Sequence, residues 1–182
     1  MQAKIKITGV ALFFAMLLVH PFSAQAATRN QCNTAMLASE TLLLRFGNMA
    51  PTTGGTVTVT TGGARSATGV SLLGGTVNAG IITVTSPLAN CHCYPLRIAV
   101  QDGNATLVSG GNNMAMSNIV TSPTTADAAT VGSAAGSSLQ INVGADLTVD
   151  ATQAAGTYNT GGDTYLLRVR FLRSPTSGNR CP

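Results

Sequence analysis

The chain has 182 residues, of which 45% are hydrophobic, 4% aromatic and 9% charged, and a formal net charge of +4. A composition this apolar argues against disorder and predicts a buried core. The basic residues are spread along the chain and there is no tryptophan, which argues against nucleic acid as a partner, since that needs a basic face and stacking platforms.

Residues 1–26 read as a secretory signal peptide. Lys4 and Lys6 make a basic start, residues 10–19 an apolar run, Pro21 a break, and Ala24-Gln25-Ala26 a small-x-small cleavage site. The run is shorter than the roughly 20 residues a membrane span needs. The expectation is therefore a mature chain from Ala27, exported and without an integral membrane segment. Both lysines leave with the signal. What remains is Arg29, Arg45, Arg65, Arg97, Arg168, Arg170, Arg173 and Arg180 against Glu40, Asp102, Asp127, Asp146, Asp150 and Asp163. The surface must then be made polar by Thr, Ser, Asn and Gly, and so little charge leaves neighbouring copies free to associate.

After the signal comes an N-terminal extension, about residues 27–45, in which 36–44 is apolar enough for either a helix or a strand. Thr56-Val57-Thr58-Val59-Thr60 alternates strictly, placing Val57 and Val59 on one face, and ends at Gly62-Gly63. Residues 81–85 are a second β-branched run. Residues 96–101 alternate again, with Leu96, Ile98 and Val100 inward. Asp102-Gly103 and the run 105–108 follow, and Asp-Gly between alternating runs predicts a hairpin. Further strands are predicted at 114–120, 138–143, 147–149 and 164–172. In the last, Tyr165, Leu167, Val169 and Phe171 share one face and Arg168 and Arg170 the other. A tail, about 173–182, closes the chain. Short strands at regular spacing between Gly-rich turns predict one all-β antiparallel sandwich over residues 27–182.

Phe46-Gly47, Gly55-Thr56-Val57-Thr58-Val59 and Gly63-Ala64-Arg65-Ser66 open a pattern continued by Val143-Gly144-Ala145-Asp146-Leu147-Thr148-Val149 and Gln153-Ala154-Ala155-Gly156-Thr157-Tyr158. In that order they resemble the bacterial family called domain of unknown function 4402, and are similar to the spore-coat-U-like subunits of archaic chaperone–usher pili. The resemblance implies an immunoglobulin-like, pilin-like sandwich. It also implies secretion through the periplasm of a Gram-negative bacterium, a cell-surface or fibre role, and a periplasmic chaperone and usher as partners. It brings no catalytic residues. The chain departs from the family in its tail after the final strand and in its four cysteines.

Those cysteines are Cys32, Cys91, Cys93 and Cys181. In an exported protein an even count predicts two disulfides. A bond within Cys91-His92-Cys93 would close a small strained ring. The favoured pairing therefore joins Cys32 and Cys181 each to one of Cys91 and Cys93. The alternative is Cys32 to Cys181 with a bond inside the C-x-C. Thiolates and an imidazole at Cys91-His92-Cys93 would also suit copper(I) or zinc, but the paired C-x-x-C spacing of zinc sites is missing. Disulfides are the preferred reading, with no metal and no cofactor.

Enzymatic readings are poorly supplied. No G-x-S-x-G elbow is present. Asp146 and Asp150 could form a carboxylate pair of glycosidase type, but read more simply as a turn residue between two strands and the end of the second. The expectation is a non-enzymatic structural protein whose subunits polymerise by strand donation. Its donor would be the segment 32–44, with Leu37, Leu42 and Leu44 filling a neighbour's pockets. That same segment could instead be the first strand of its own sandwich. The alternative function is a monomeric secreted domain binding carbohydrate or a surface partner through loops at 110–113 and 122–138. A metal carrier built on Cys91-His92-Cys93 is the third reading.

Overall fold

The computed structural model describes residues 28–86, 88, 91, 96–126, 137–160 and 166–171. The predicted signal peptide and tail lie outside them. The described residues include one helix, α1 (Arg29–Ala35), and the strands β1 (Leu37–Leu42), β2 (Arg45–Phe46), β3 (Met49–Val59), β4 (Arg65–Leu72), β5 (Val77–Asn78), β6 (Gly80–Ser86), β7 (Leu96–Asp102), β8 (Ala105–Ser109), β9 (Asn112–Ser122), β10 (Thr125–Ala126), β11 (Ser137–Val149), β12 (Asn159–Thr160) and β13 (Leu166–Phe171). Among the described residues every pairing between strands is antiparallel. The large sheet runs β1-β6-β11-β9-β8-β12, with β3 also on β11 and β4 on β3. A second sheet runs β10-β7-β13, and β2 pairs with β5. The fold is an all-β antiparallel sandwich whose large sheet curls around β11.

β11 organises the molecule. Its first half pairs with β6, from Ser137↔Ser86 to Val143↔Gly80, and its second half with β3, from Ala145↔Val59 to Val149↔Gly55. The alternation in the sequence predicts two strands here, split around Asp146. Instead one strand runs through, changing neighbours at Gly144. The irregularity is a bulge against β9 between Gly144 and Asp146, and a bulge bends a strand without ending it. Leu139 and Ile141 enter one apolar cluster with Cys32, Val84, Cys91, Leu96 and Ile98. Val143, Ala145, Leu147 and Val149 enter the other, with Phe46, Val57, Val59, Met116 and Ile119. Of the predicted inward residues, Val57, Val59, Leu96 and Ile98 are buried, and Val100 is half-buried against the cluster of Val57 and Val59.

The predicted Asp102-Gly103 hairpin does not form. β7 pairs with β10 and β13, whereas β8 pairs with β9 and β12, so this connection carries the chain from one sheet to the other. Gly103 is absent from the residues with positive φ, the geometry a two-residue hairpin turn demands. The tight hairpin is the next one along. Gly110 and Gly111, at φ 54° and 87°, join Ser109 to its partner Asn112.

Two other local features clarify the N-terminal region. The ambiguous stretch 36–44 contains a strand, β1. Ahead of it the unpredicted α1 starts with a capping box: Gln31 N–H donates to the Thr28 hydroxyl at 3.4 Å, and Thr28 N–H donates to Gln31 Oε1 at 2.8 Å. Thr-x-x-Gln is the sequence signal that would have found it.

Candidate functional site

The N-terminal edge of the large sheet gathers four of the residues singled out from sequence, Cys32, Leu37, Leu42 and Cys91. α1 places Cys32 fully buried, where it is bonded to Cys91, also fully buried, at a sequence separation of 59. The bridge lies just beyond the open end of the β1–β6 pair, whose outermost match is Leu37↔Thr85. It excludes Cys32 to Cys181, the alternative pairing, and supplies one of the two bridges of the favoured one. Cys93, Cys181 and His92 lie outside the described residues. A tryptic digest without reduction is expected to hold peptide 30–45 on peptide 66–97, also after Cys93→Ser, by mass spectrometry. Release of the two peptides in that variant would contradict the bridge.

β1 pairs with β6 in its own chain, and all its residues are exposed. Facing positions assign its two sides. Leu37, Ser39 and Leu42 stand opposite Thr85, Thr83 and Ile81, which continue on β11 to Ser138, Gln140 and Asn142. This is the outer face. Ala38 and Glu40 stand opposite Val84 and Ile82, continuing to the buried Leu139 and Ile141, so they lie on the core side. A register shift between Glu40 and Leu42 brings Leu42 onto the same face as Leu37. Within the shift, the Thr41 hydroxyl donates to the Ile81 carbonyl at 3.3 Å and lies 3.2 Å from the Thr83 hydroxyl. Leu37 is left 64% exposed and Leu42 40%. Of the predicted donor leucines, Leu44 is the one packed against a core cluster. The structure brings Leu37 and Leu42 together on one outer face and separates Leu44 from them. A core-side charge and a bulge are both devices that blunt an edge strand.

Beyond β1 the chain is tied down again. The Asn78 side-chain amide donates to the Leu43 carbonyl, and Phe46 is buried. Arg65 then clamps this turn: its guanidinium donates to the carbonyls of Phe46 at 2.9 Å, Asn48 at 3.1 Å and Leu73 at 2.6 Å. Gly47, at φ +72°, lies against that guanidinium, so a Cβ there would collide with it. Sequence reasoning picked out Phe46-Gly47 and Ala64-Arg65 separately and missed that they form one contact.

Among the described residues the remaining candidates do not assemble a site. Asp146 accepts hydrogen bonds from the Thr58 hydroxyl at 2.6 Å and the Asn118 amide at 3.0 Å, within β11 rather than at a turn. Asp150 accepts from the Thr152 hydroxyl at 2.7 Å and its N–H at 2.8 Å, which hold its carboxyl below the ordinary carboxylate range. The two acids are four residues apart on extended chain, roughly 13 Å at strand rise, wider than the ~5–9.5 Å of glycosidase pairs. Cys91 is in a disulfide and offers no thiolate, the metal-binding form. Among the described residues no group of His, Cys, Asp and Glu could hold a metal. Of the proposed binding loops, 110–113 is the tight hairpin at the β8–β9 end, and residues 127–136 lie outside the described set.

Tyr158 closes the other conspicuous motif. Its hydroxyl accepts from the Gln153 amide at 2.6 Å and donates to the Ala154 carbonyl at 2.7 Å, while the ring packs on the core. Tyr158→Phe is expected to cost about 1–2 kcal/mol by leaving both partners short, read as a lower midpoint in urea unfolding with unchanged slope.

An antiparallel β protein stapled at one edge is thus the class that fold and site define. The chain matches the family described as Domain of unknown function (DUF4402) over residues 37–166, and it belongs to that family. The match begins at the first residue of β1, so Cys91 falls inside it and Cys32 before it. No curated protein and no solved structure matches the chain.

Proposed function

We propose that this is a non-enzymatic structural protein of a Gram-negative cell surface, exported through the periplasm and joined copy to copy by pairing of β-strands. The observation that carries this reading is a pair of leucine-bearing edges on one sheet. β1 carries Leu37 and Leu42; β4, which pairs only with β3 among the described residues, ends in Leu72, followed by Leu73. Each of these leucines is more than a third exposed. Two different edges are what a linear array of subunits requires. The motif likeness to spore-coat-U-like and pilin subunits points the same way, to an immunoglobulin-like sandwich handled by a chaperone and usher.

Strand donation in the strict sense would require β1 to leave β6. Its two flanks oppose that, with Cys32 bonded to Cys91 on one side and Leu44 and Phe46 packed in the core on the other. Addition at the edge needs no such release. The same flanks favour the second reading, a self-contained domain that binds a partner through its loops.

Sedimentation of the exported protein with electron microscopy of surface material tests the proposal. The expected result is concentration-dependent association and filaments, both lost in Leu37→Glu/Leu42→Glu at an unchanged melting temperature. A ladder that withstands detergent until boiled would show donation instead. A monomer without filaments would leave the self-contained domain.

A further inference from the structure

We infer that β1 is a self-complementary joint that pairs antiparallel with β1 of a second copy about a two-fold axis at Ser39. This names the partner of the edge just proposed and rests on that reading. Positions along β1 are set by its partners on β6: Leu37, Ala38, Ser39, Glu40 and Leu42 face Thr85, Val84, Thr83, Ile82 and Ile81 in unbroken succession. The bulge at Thr41 thereby makes Leu37 and Leu42 equidistant from Ser39. Turned end for end, the strand then sets Leu37 opposite the second copy's Leu42 at both ends of the joint, on the outer face where both are exposed.

The same register treats the charge well. It sets Glu40, the strand's one charged residue, opposite Ala38 of the second copy and so avoids a like-charge pair. Without the bulge, Leu37 and Leu42 would lie on opposite faces, because side chains alternate along a strand, and no two-fold register could bring them together. An isologous contact closes on itself, so a linear array needs a second contact beside this joint, and β4 with Leu72 and Leu73 is the other leucine-bearing edge. A joint this short buries less than the ~1,200 Å² of a stable interface and so forms weakly, which calls for a covalent trap.

The test is disulfide trapping in the otherwise native, oxidised protein. Ser39 meets its own copy at the axis, where facing Cα atoms are about 4.5–5.5 Å apart, inside disulfide reach. Ser39→Cys is expected to give a covalent dimer on a non-reducing gel under mild oxidation. Gln140→Cys stands in the same row but two strands inboard, is exposed, and is expected to cross-link at least ~tenfold more slowly, lacking the raised effective concentration. Leu37→Cys/Leu42→Cys should cross-link where Leu37→Cys alone does not. Equal rates for Ser39→Cys and Gln140→Cys, while the wild-type protein still associates in sedimentation, would overturn the joint and leave the structural reading standing. A wild-type protein monomeric at every concentration would overturn both.

Discussion

Gly69→Ala is expected to yield a protein that does not fold cooperatively, a loss above about 4 kcal/mol. Gly69 has φ +70°, which disfavours any side chain, and an added Cβ would run into the carbonyl oxygen of Gly54. That obstacle is backbone, so no rotamer can relieve it. The reason lies in the pairing of β3 with β4, which shifts register between Pro51 and Thr56: residues 52–55 bow out opposite Gly69. The Thr52 hydroxyl donates to the Gly69 carbonyl at 2.7 Å, and Gly55 lies so close to Thr68 that a Cβ there would meet its carbonyl. Thermal unfolding followed by circular dichroism, with amide dispersion in NMR, reads the loss. Gly74→Ala, where a Cβ would meet nothing within 4 Å, should unfold like wild type. Cooperative unfolding of Gly69→Ala within about 1 kcal/mol of wild type would refute the close approach.

Removing the bridge with Cys32→Ala/Cys91→Ala is expected to destabilise by about 4 kcal/mol, from the loop-closure entropy of a bridge of this span. Against a typical total of ~5–15 kcal/mol that is a large share. The loop from Cys32 to Cys91 contains β1 through β6, so its unfolded chain regains the freedom of the whole N-terminal half. Guanidinium unfolding of wild type and variant measures the difference. A loss below about 1 kcal/mol would mean that the buried pair contributes by packing alone. The variant carries a second readout. With the bridge gone, β1 is freed at one end, and detergent-resistant ladders appearing only then would reveal donation held back by Cys32.

Periodicity made the core strands legible because each buries one face. Val57 and Val59, and Leu96 and Ile98, alternate with polar residues and are buried. β4 was not legible, since Arg65-Ser66-Ala67-Thr68-Gly69-Val70-Ser71-Leu72 has small, half-exposed residues at an edge and no clean alternation. Asp102-Gly103 misled because turn chemistry is local, whereas the partner of a strand is chosen by the core face it must cover. Ile98 shares a buried cluster with Leu139 and Ile141, and β13 supplies a neighbour for β7. At the site, sequence reading found the leucines and the cysteines. The bulge that sorts those leucines onto one face depends on how β6 is paired, and that is a long-range fact.

The continuous course of β11 through both apolar clusters has a consequence for how the molecule comes apart. A chain whose halves each kept a private core could melt in stages. Here a single strand is paired into both halves, with β6 as far as Val143 and with β3 from Ala145, so continuous backbone joins the two clusters. Uniform, slow hydrogen exchange from Leu139 to Val149, at the rate of global unfolding, is the expected result.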